Sequence, residues 1–261
     1  MGSESDCPRI EGGRHAAAGD WPAVVELRRY RLHPGKRETL IDLFDREFVE
    51  TQESVGISVI GQFRDIDAPD EFVWLRGFAD MPSRAASLQA FYTGPVWAAH
   101  RESANGTMVN SDNVLLLRPA PSQARPPVLA AGRPGTGCER SPSGLVVSTI
   151  CYLAPRAEES FASFFEESVR PVLERASARI LGTFVTERST NTFPRLPVRE
   201  GETVFVWLSS FPDLPAYEAH RAALSGVEPW TRNALPEMNR RIWRPNEVSR
   251  LTPTARSLLP A

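Results

Sequence analysis

The chain has 261 residues, of which 41% are apolar and 24% charged, a composition that excludes a disordered chain and leaves length for two domains. Thirty basic against thirty-two acidic side chains give a formal charge of −2, so the basic excess that drives nucleic-acid binding is missing and no nucleic-acid partner is expected. No stretch approaches about eighteen apolar residues and no basic-then-apolar leader opens the chain, which predicts a cytoplasmic protein with no membrane span. Cys7, Cys138 and Cys151 are odd in number and far apart, fit neither a CxxC pair nor a disulfide framework, and point to a reducing compartment.

Residues 1–22 are rich in Gly, Ala and charge without periodicity and read as a tail. Residues 24–32 (VVELRRYRL) carry the β-branched and aromatic side chains that strands prefer. Leu40, Ile41, Phe44 and Phe48 then recur at helical spacing. Strands follow at 57–65 and 71–78, and Asp80 stands where an N-cap belongs, with Pro82 two residues on to open the next helix. A strand near 112–118 ends a first domain over 23–120. The Pro- and Gly-rich stretch 121–143 cannot sustain a helix or a central strand and reads as a linker.

Beyond it the same order returns. Residues 145–153 (LVVSTICYL) predict a strand, Phe161, Phe164, Phe165 and Val169 a helix, and Asp213 a second cap before a Pro. A last strand is expected near 239–244, closing a second domain over 144–250 and leaving 251–261 as a C-terminal tail. VIGQF (59–63) answers ILGTF (180–184) at an offset of 121. FVWL (72–75) recurs as FVWL (205–208), FADMP (78–82) as FPDLP (211–215), and Trp97 as Trp230, all at an offset of 133. The difference places about twelve extra residues in the polar stretch around 187–201. The reading is an α+β protein of two tandem ferredoxin-like βαββαβ domains, packed sheet to sheet because each sheet has one face its own helices do not cover.

VELRRYRLHPGK (25–36), VIGQF, FVWLRGFADMPSR (72–84) and FYTGPVWAAHR (91–101) resemble the NIPSNAP family of the dimeric α/β-barrel superfamily. The resemblance covers 24–119; the second copy lacks the ELRxY opening but keeps FVWL and the late Trp. It implies an intrachain dimeric α/β barrel. Members of the family are mostly without an assigned reaction, and superfamily relatives include cofactor-independent monooxygenases, isomerases and haem-binding enzymes, so the fold does not choose a chemistry.

Strand alternation puts Glu26, Arg28 and Tyr30 on one face of the first strand and Val25 and Leu27 on the other. The apolar pair is expected to meet the helices and the polar three to point into the barrel, as Phe72, Trp74, Arg76 and Phe78 would from the third strand. Aligning Tyr30 with Tyr152 sets Ser148, Ile150 and Tyr152 against Glu26, Arg28 and Tyr30, so the first copy is expected to keep the site and the second to serve as its lid. For Arg28 and Arg76 two readings stand, an ion pair with Glu26 or another carboxylate between the sheets, or a clamp for an anion or carbonyl. His100, one turn after Trp97, is the best general base by residue type. The candidates are thus His100, Tyr30 and Arg28 as catalytic groups, with Glu26, Arg76, Trp74, Phe78, Tyr92 and Trp97 as ligand-binding groups. His33 and His220 read as solvated. No metal cluster, phosphate loop or nucleophile elbow appears, and no cofactor is expected. Three functions fit: a cofactor-independent enzyme acting on a small aromatic or carbonyl molecule in the barrel cavity, a non-catalytic ligand-binding or scaffold protein, or a haem protein with His100 as axial ligand. Pairing of such chains into a homo-oligomer stays open.

Overall fold

The β-branched and aromatic run VVELRRYRL forms β1 (Val24–Leu32), and the other apolar runs follow it in chain order. They are β2 (Ser58–Asp65), β3 (Glu71–Phe78), β4 (Met108–Pro119), β5 (Leu145–Leu153), β6 (Arg179–Thr186), β7 (Val204–Phe211) and β8 (Ile242–Pro253). All pair antiparallel and close into one barrel in the order β8-β2-β3-β1-β4-β6-β7-β5. This computed structural model describes residues 9–10, 21–121, 132–138 and 143–259. Most of the expected tail 1–22 and much of the linker 121–143 lie outside the described residues.

Each half supplies four neighbouring strands and its own helices. The first contributes α1 (Arg37–Leu43), which passes through a π-helical turn (Phe44–Phe48) into α2 (Val49–Ser54), then α3 (Met81–Thr93) and α4 (Pro95–Asn105). The second contributes α5 (Glu158–Phe164), a π-helical turn (Phe165–Val169), α6 (Arg170–Arg175), α7 (Leu214–Ser225), a third π-helical turn (Pro229–Ala234) and α8 (Leu235–Arg241). Asp80 accepts a hydrogen bond from the Ser83 N–H and Asp213 from that of Ala216, both at 2.7 Å, so both expected caps form. Residues 239–241 belong to α8, and the last strand starts later and runs longer than its apolar pattern suggests.

The inner faces of the two four-stranded sets do meet, and the strands also close on one another at their edges. The two sets of strands are joined edge to edge, β4 to β6 and β2 to β8, so no edge is left open. An eight-stranded barrel has an interior just wide enough for side chains to fill it. Here Val25, Leu27, Phe63, Val73 and Leu117 of the first half meet Val146, Ile150, Phe184, Val206 and Leu251 of the second. The lumen is a packed core, and each large side chain buried there contributes about 1.5–3 kcal/mol. Two other apolar clusters lie outside the barrel, between each half's strands and its helices.

The described residues next to the barrel at both expected tails pack against it. Trp21 packs edge-on against Phe184 at 4.8 Å, over Gly182, where a Cβ would come within 2.8 Å of the indole. Beyond β8 the chain does not leave the body. Thr254, Arg256 and Leu259 are buried, Leu259 in the lumen core, and Arg256 donates to the carbonyls of Pro134 and Asp45 and to Glu50. Arg133 in the linker is buried and paired with Glu53 at 2.8 Å. Cys138 is disulfide-bonded, against the expectation of no disulfide, while Cys151 is free and buried. Cysteine usage therefore gives no argument for a reducing compartment. No helix among the described residues is long and apolar enough to cross a membrane.

Candidate functional site

Alternation along β1 and β3 groups the polar residues as the sequence predicts, but on the opposite face. Val25 and Leu27 point into the lumen, whereas Glu26, Arg28, Tyr30, Trp74 and Arg76 point outward beneath α1 to α4. The periodicity fixes which residues share a face and leaves open which face is which. The closed barrel needs an apolar filling, so the charges lie in the layer between sheet and helices.

Glu26 and Arg76 are directly opposed on β1 and β3. With Arg84 of α3 they form a cluster in which Glu26, Arg76 and Arg84 are 0% exposed and Arg28 1%. One Glu26 carboxylate oxygen accepts from Arg28 at 2.6 Å and Arg76 at 2.7 Å, and the other from Arg84 at 2.6 Å. Burial alone would push this carboxyl up, but Arg76, Arg28 and Arg84 outweigh it and hold it far below the usual carboxylate range. Burial opposes the Arg28 charge as well, and Tyr30 and Glu26 outweigh it. Arg28 donates to the Tyr30 hydroxyl at 2.9 Å, Arg76 to Gln52 at 3.4 Å, and Arg84 to Asn191 and Thr192 at 3.0 and 3.3 Å. Asn191 and Thr192 belong to the extra polar stretch of the second half, which reaches over the first. Of the two readings of Arg28 and Arg76, the geometry carries the ion pair with Glu26.

Beside this cluster is a cavity of about 90 Å³ lined by Tyr30, Phe48, Gln52, Trp74, Tyr92 and Trp97, among others. Phe193 of the extra stretch stacks on Tyr92 at 6.0 Å.

Residues 25–123 match the model of the NIPSNAP family. The first half of the chain carries a NIPSNAP domain. A NIPSNAP-like domain protein of uncharacterised role from Burkholderia xenovorans is 27% identical over 40% of this chain and 90% of that one, with a TM-score of 0.36. Two longer structures follow the whole barrel. A candidate monooxygenase from Fusobacterium nucleatum aligns over 88% of this chain and 92% of its own at 10% identity and a TM-score of 0.55. An anthrone oxidase-like protein aligns over 97% and 99% at 12% identity and a TM-score of 0.54. At such identities the likeness is one of fold: an α+β protein with a closed antiparallel barrel. No curated protein matches the chain.

Within the NIPSNAP domain the nominated residues separate. Tyr30, Trp74, Tyr92 and Trp97 line the cavity; Glu26, Arg28 and Arg76 form the ion cluster behind it, with Phe78 against Arg76 at 5.5 Å. His100 joins neither. It lies on α4, 33% exposed, 3.6 Å from Glu47 and 6.4 Å ring to ring from Phe48, and does not itself line the cavity. Sequence reasoning missed Arg84 and Gln52, though Arg84 closes the quoted motif FVWLRGFADMPSR.

The second half differs at the same place. Val24 pairs with Phe78 and Leu145 with Phe211, so counting from these pairs the same strand positions as Arg28, Arg76 and Glu26 are held in the second half by Thr149, Ser209 and Val147. The alignment of Tyr30 with Tyr152 is one residue out of step, and Tyr152 points into the barrel, where its hydroxyl donates to Glu247 and accepts from Arg199. With the charged cluster gone, a pocket of about 420 Å³ opens under α7, lined by Thr149, Trp207, Ser209, Tyr217, His220 and Trp230, among others. His220 is 7% exposed and not solvated as its sequence context suggests. A wider groove of about 940 Å³ among α5, α6 and α8 is open and rimmed by Arg and Glu that pair with one another, as Arg240 does with Glu237. Among the described residues no group of three or more His, Cys, Asp or Glu could hold a metal ion.

Proposed function

We propose that the chain is two βαββαβ units in tandem, closed into an α/β barrel within one chain, and that it binds a small organic molecule between sheet and helices. Support for the tandem comes from matched irregularities. The π-helical turns Phe44–Phe48 and Phe165–Val169, and the strand bulges at Val59/Gly61 and Ile180/Gly182, recur at the offset of the sequence repeat. Such features are costly and not expected twice by chance.

The observation that carries the ligand reading is that aromatic-walled space sits at the same place in both halves, while the lumen is filled. Binding is favoured over catalysis in the first half. Its one nominated base, His100, is outside the cavity, and burial raises the Tyr30 phenol above its usual value. A haem fits neither 90 Å³ nor a histidine that does not reach that space. The test is a ligand-observed NMR screen of one- and two-ring fragments against the whole chain. Reproducible, saturable binders support the reading; none at millimolar concentration would leave a scaffold without a ligand.

A further inference from the structure

We propose that the second-half pocket is the chain's principal binding site and that it takes an uncharged aromatic molecule bearing one hydroxyl group. The inference rests on the ligand reading above and deepens it.

Size separates the two cavities. Drug-sized and cofactor sites span about 300–1,000 Å³; the second-half pocket is about 420 Å³ and the first-half cavity about 90 Å³. The register gives the cause, since Val147, Thr149 and Ser209 stand where Glu26, Arg28 and Arg76 fill the equivalent volume. Ring walls come from Trp207, Trp230, Phe211 and Tyr217, which offer stacked and edge-on contacts to a flat ligand.

The polar groups specify the rest. The His220 Nδ1 lies 2.7 Å from the Ala176 carbonyl. A carbonyl oxygen only accepts, so Nδ1 carries the proton and Nε2 is left as an acceptor. Asn246 also lines the pocket, and its Oδ1 is buried without a hydrogen-bond partner. Two acceptors in one aromatic pocket call for a donor on the ligand, and a phenolic O–H supplies one. Anions are disfavoured by the same pair of lone-pair acceptors, although Arg221 stands at the lining.

The experiment titrates the whole chain by calorimetry with 1-naphthol, naphthalene and 1-naphthoate. The expected result is one-to-one binding of 1-naphthol at least about tenfold tighter than either of the others. Ser209→Leu, which fills the pocket with an apolar group, should abolish it, and His220→Phe should remove the advantage of naphthol over naphthalene. Each variant is accepted only with an unchanged circular dichroism spectrum; Thr149→Leu serves if Ser209→Leu fails that criterion. Binding that survives Ser209→Leu and is lost on Trp97→Leu would overturn the assignment while leaving the ligand reading intact. Equal binding of naphthol and naphthalene would overturn the hydroxyl requirement. A chain that takes fragments in the NMR screen but none of these three probes would overturn this inference alone.

Discussion

Glu26 is the sole anion among three buried guanidinium groups, and removing it is the sharpest perturbation the structure offers. In Glu26→Val all three arginines lose the oxygens now 2.6–2.7 Å away. Breaking one buried pair costs about 3–5 kcal/mol, and three cations then repel in a dry layer, so a loss of at least about 4 kcal/mol is expected. Against a total of about 5–15 kcal/mol for a typical protein this leaves little native stability. The second half shows how to remove the charge safely. The variant Glu26→Val, Arg28→Thr, Arg76→Ser, Arg84→Tyr carries the residues found at Val147, Thr149, Ser209 and Tyr217, and replacing a whole buried ion network with fitted neutral groups is often neutral or stabilising. It should recover most of the loss, to within about 2 kcal/mol of the parent. The assay is urea unfolding followed by tryptophan fluorescence and circular dichroism, comparing midpoints at matched slopes. Glu26→Gln keeps the volume and serves if Glu26→Val does not fold. A loss below about 1 kcal/mol for the single variants, or a quadruple variant no better than the single one, would refute the structural ion-cluster reasoning.

Further outcomes follow from the same geometry. The Glu26 carboxyl is held far below its unfolded value, so its contribution is complete above about pH 4.3 and is lost as pH falls toward the folded value; the parent should lose stability below pH 4 more steeply than Glu26→Gln, by up to about 1.4 kcal/mol per pH unit, in urea melts at stepped pH. Asp45 runs the other way. Burial, opposed by Arg256, Arg133 and Arg64, pushes it up to about 6, so its charged form costs stability as pH rises past about 4, and Asp45→Asn should stabilise by about 1–2 kcal/mol at pH 7 and by little at pH 4. Leu259→Ala should cost about 3 kcal/mol in the same melts, because Leu259 is fully buried in the lumen core; a cost under about 0.5 kcal/mol would return 254–259 to the status of a tail. His100→Ala should change stability by less than about 0.5 kcal/mol and leave fragment binding unchanged, and a loss of binding would restore His100 as a site residue.

The architecture was legible where local chemistry and a repeated pattern agreed. Strand β1, the paired Asp80 and Asp213 caps and the recurrence of FVWL each have a local cause, and each is found. What sequence could not supply was long-range. Closure of the barrel depends on the β4–β6 and β2–β8 seams, which join residues of low sequence similarity far apart in the chain. The burial of Arg133 and Arg256 depends on carbonyls and carboxylates of the π-helical turn Phe44–Phe48, α2 and β2, and nothing in a Pro- and Gly-rich linker or a short C-terminal run announces those partners.

The site was half legible, for a reason that runs through the whole molecule. A period of two groups Glu26 with Arg28 and Tyr30, yet an alignment one residue out of step sends an entire strand to the other face. Pairing Tyr30 with Tyr152 did that, because tyrosine is conspicuous and the weaker match of Tyr30 to Cys151 is not. In the correct register Glu26–Arg76 becomes Val147–Ser209. Both members of the pair are absent together, as expected if either charge alone is intolerable in a dry layer. Polarity along a strand is therefore no guide to open volume here: the half richer in charge fills its space with paired charges, and the half that reads as bland sequence has the larger aromatic-lined pocket.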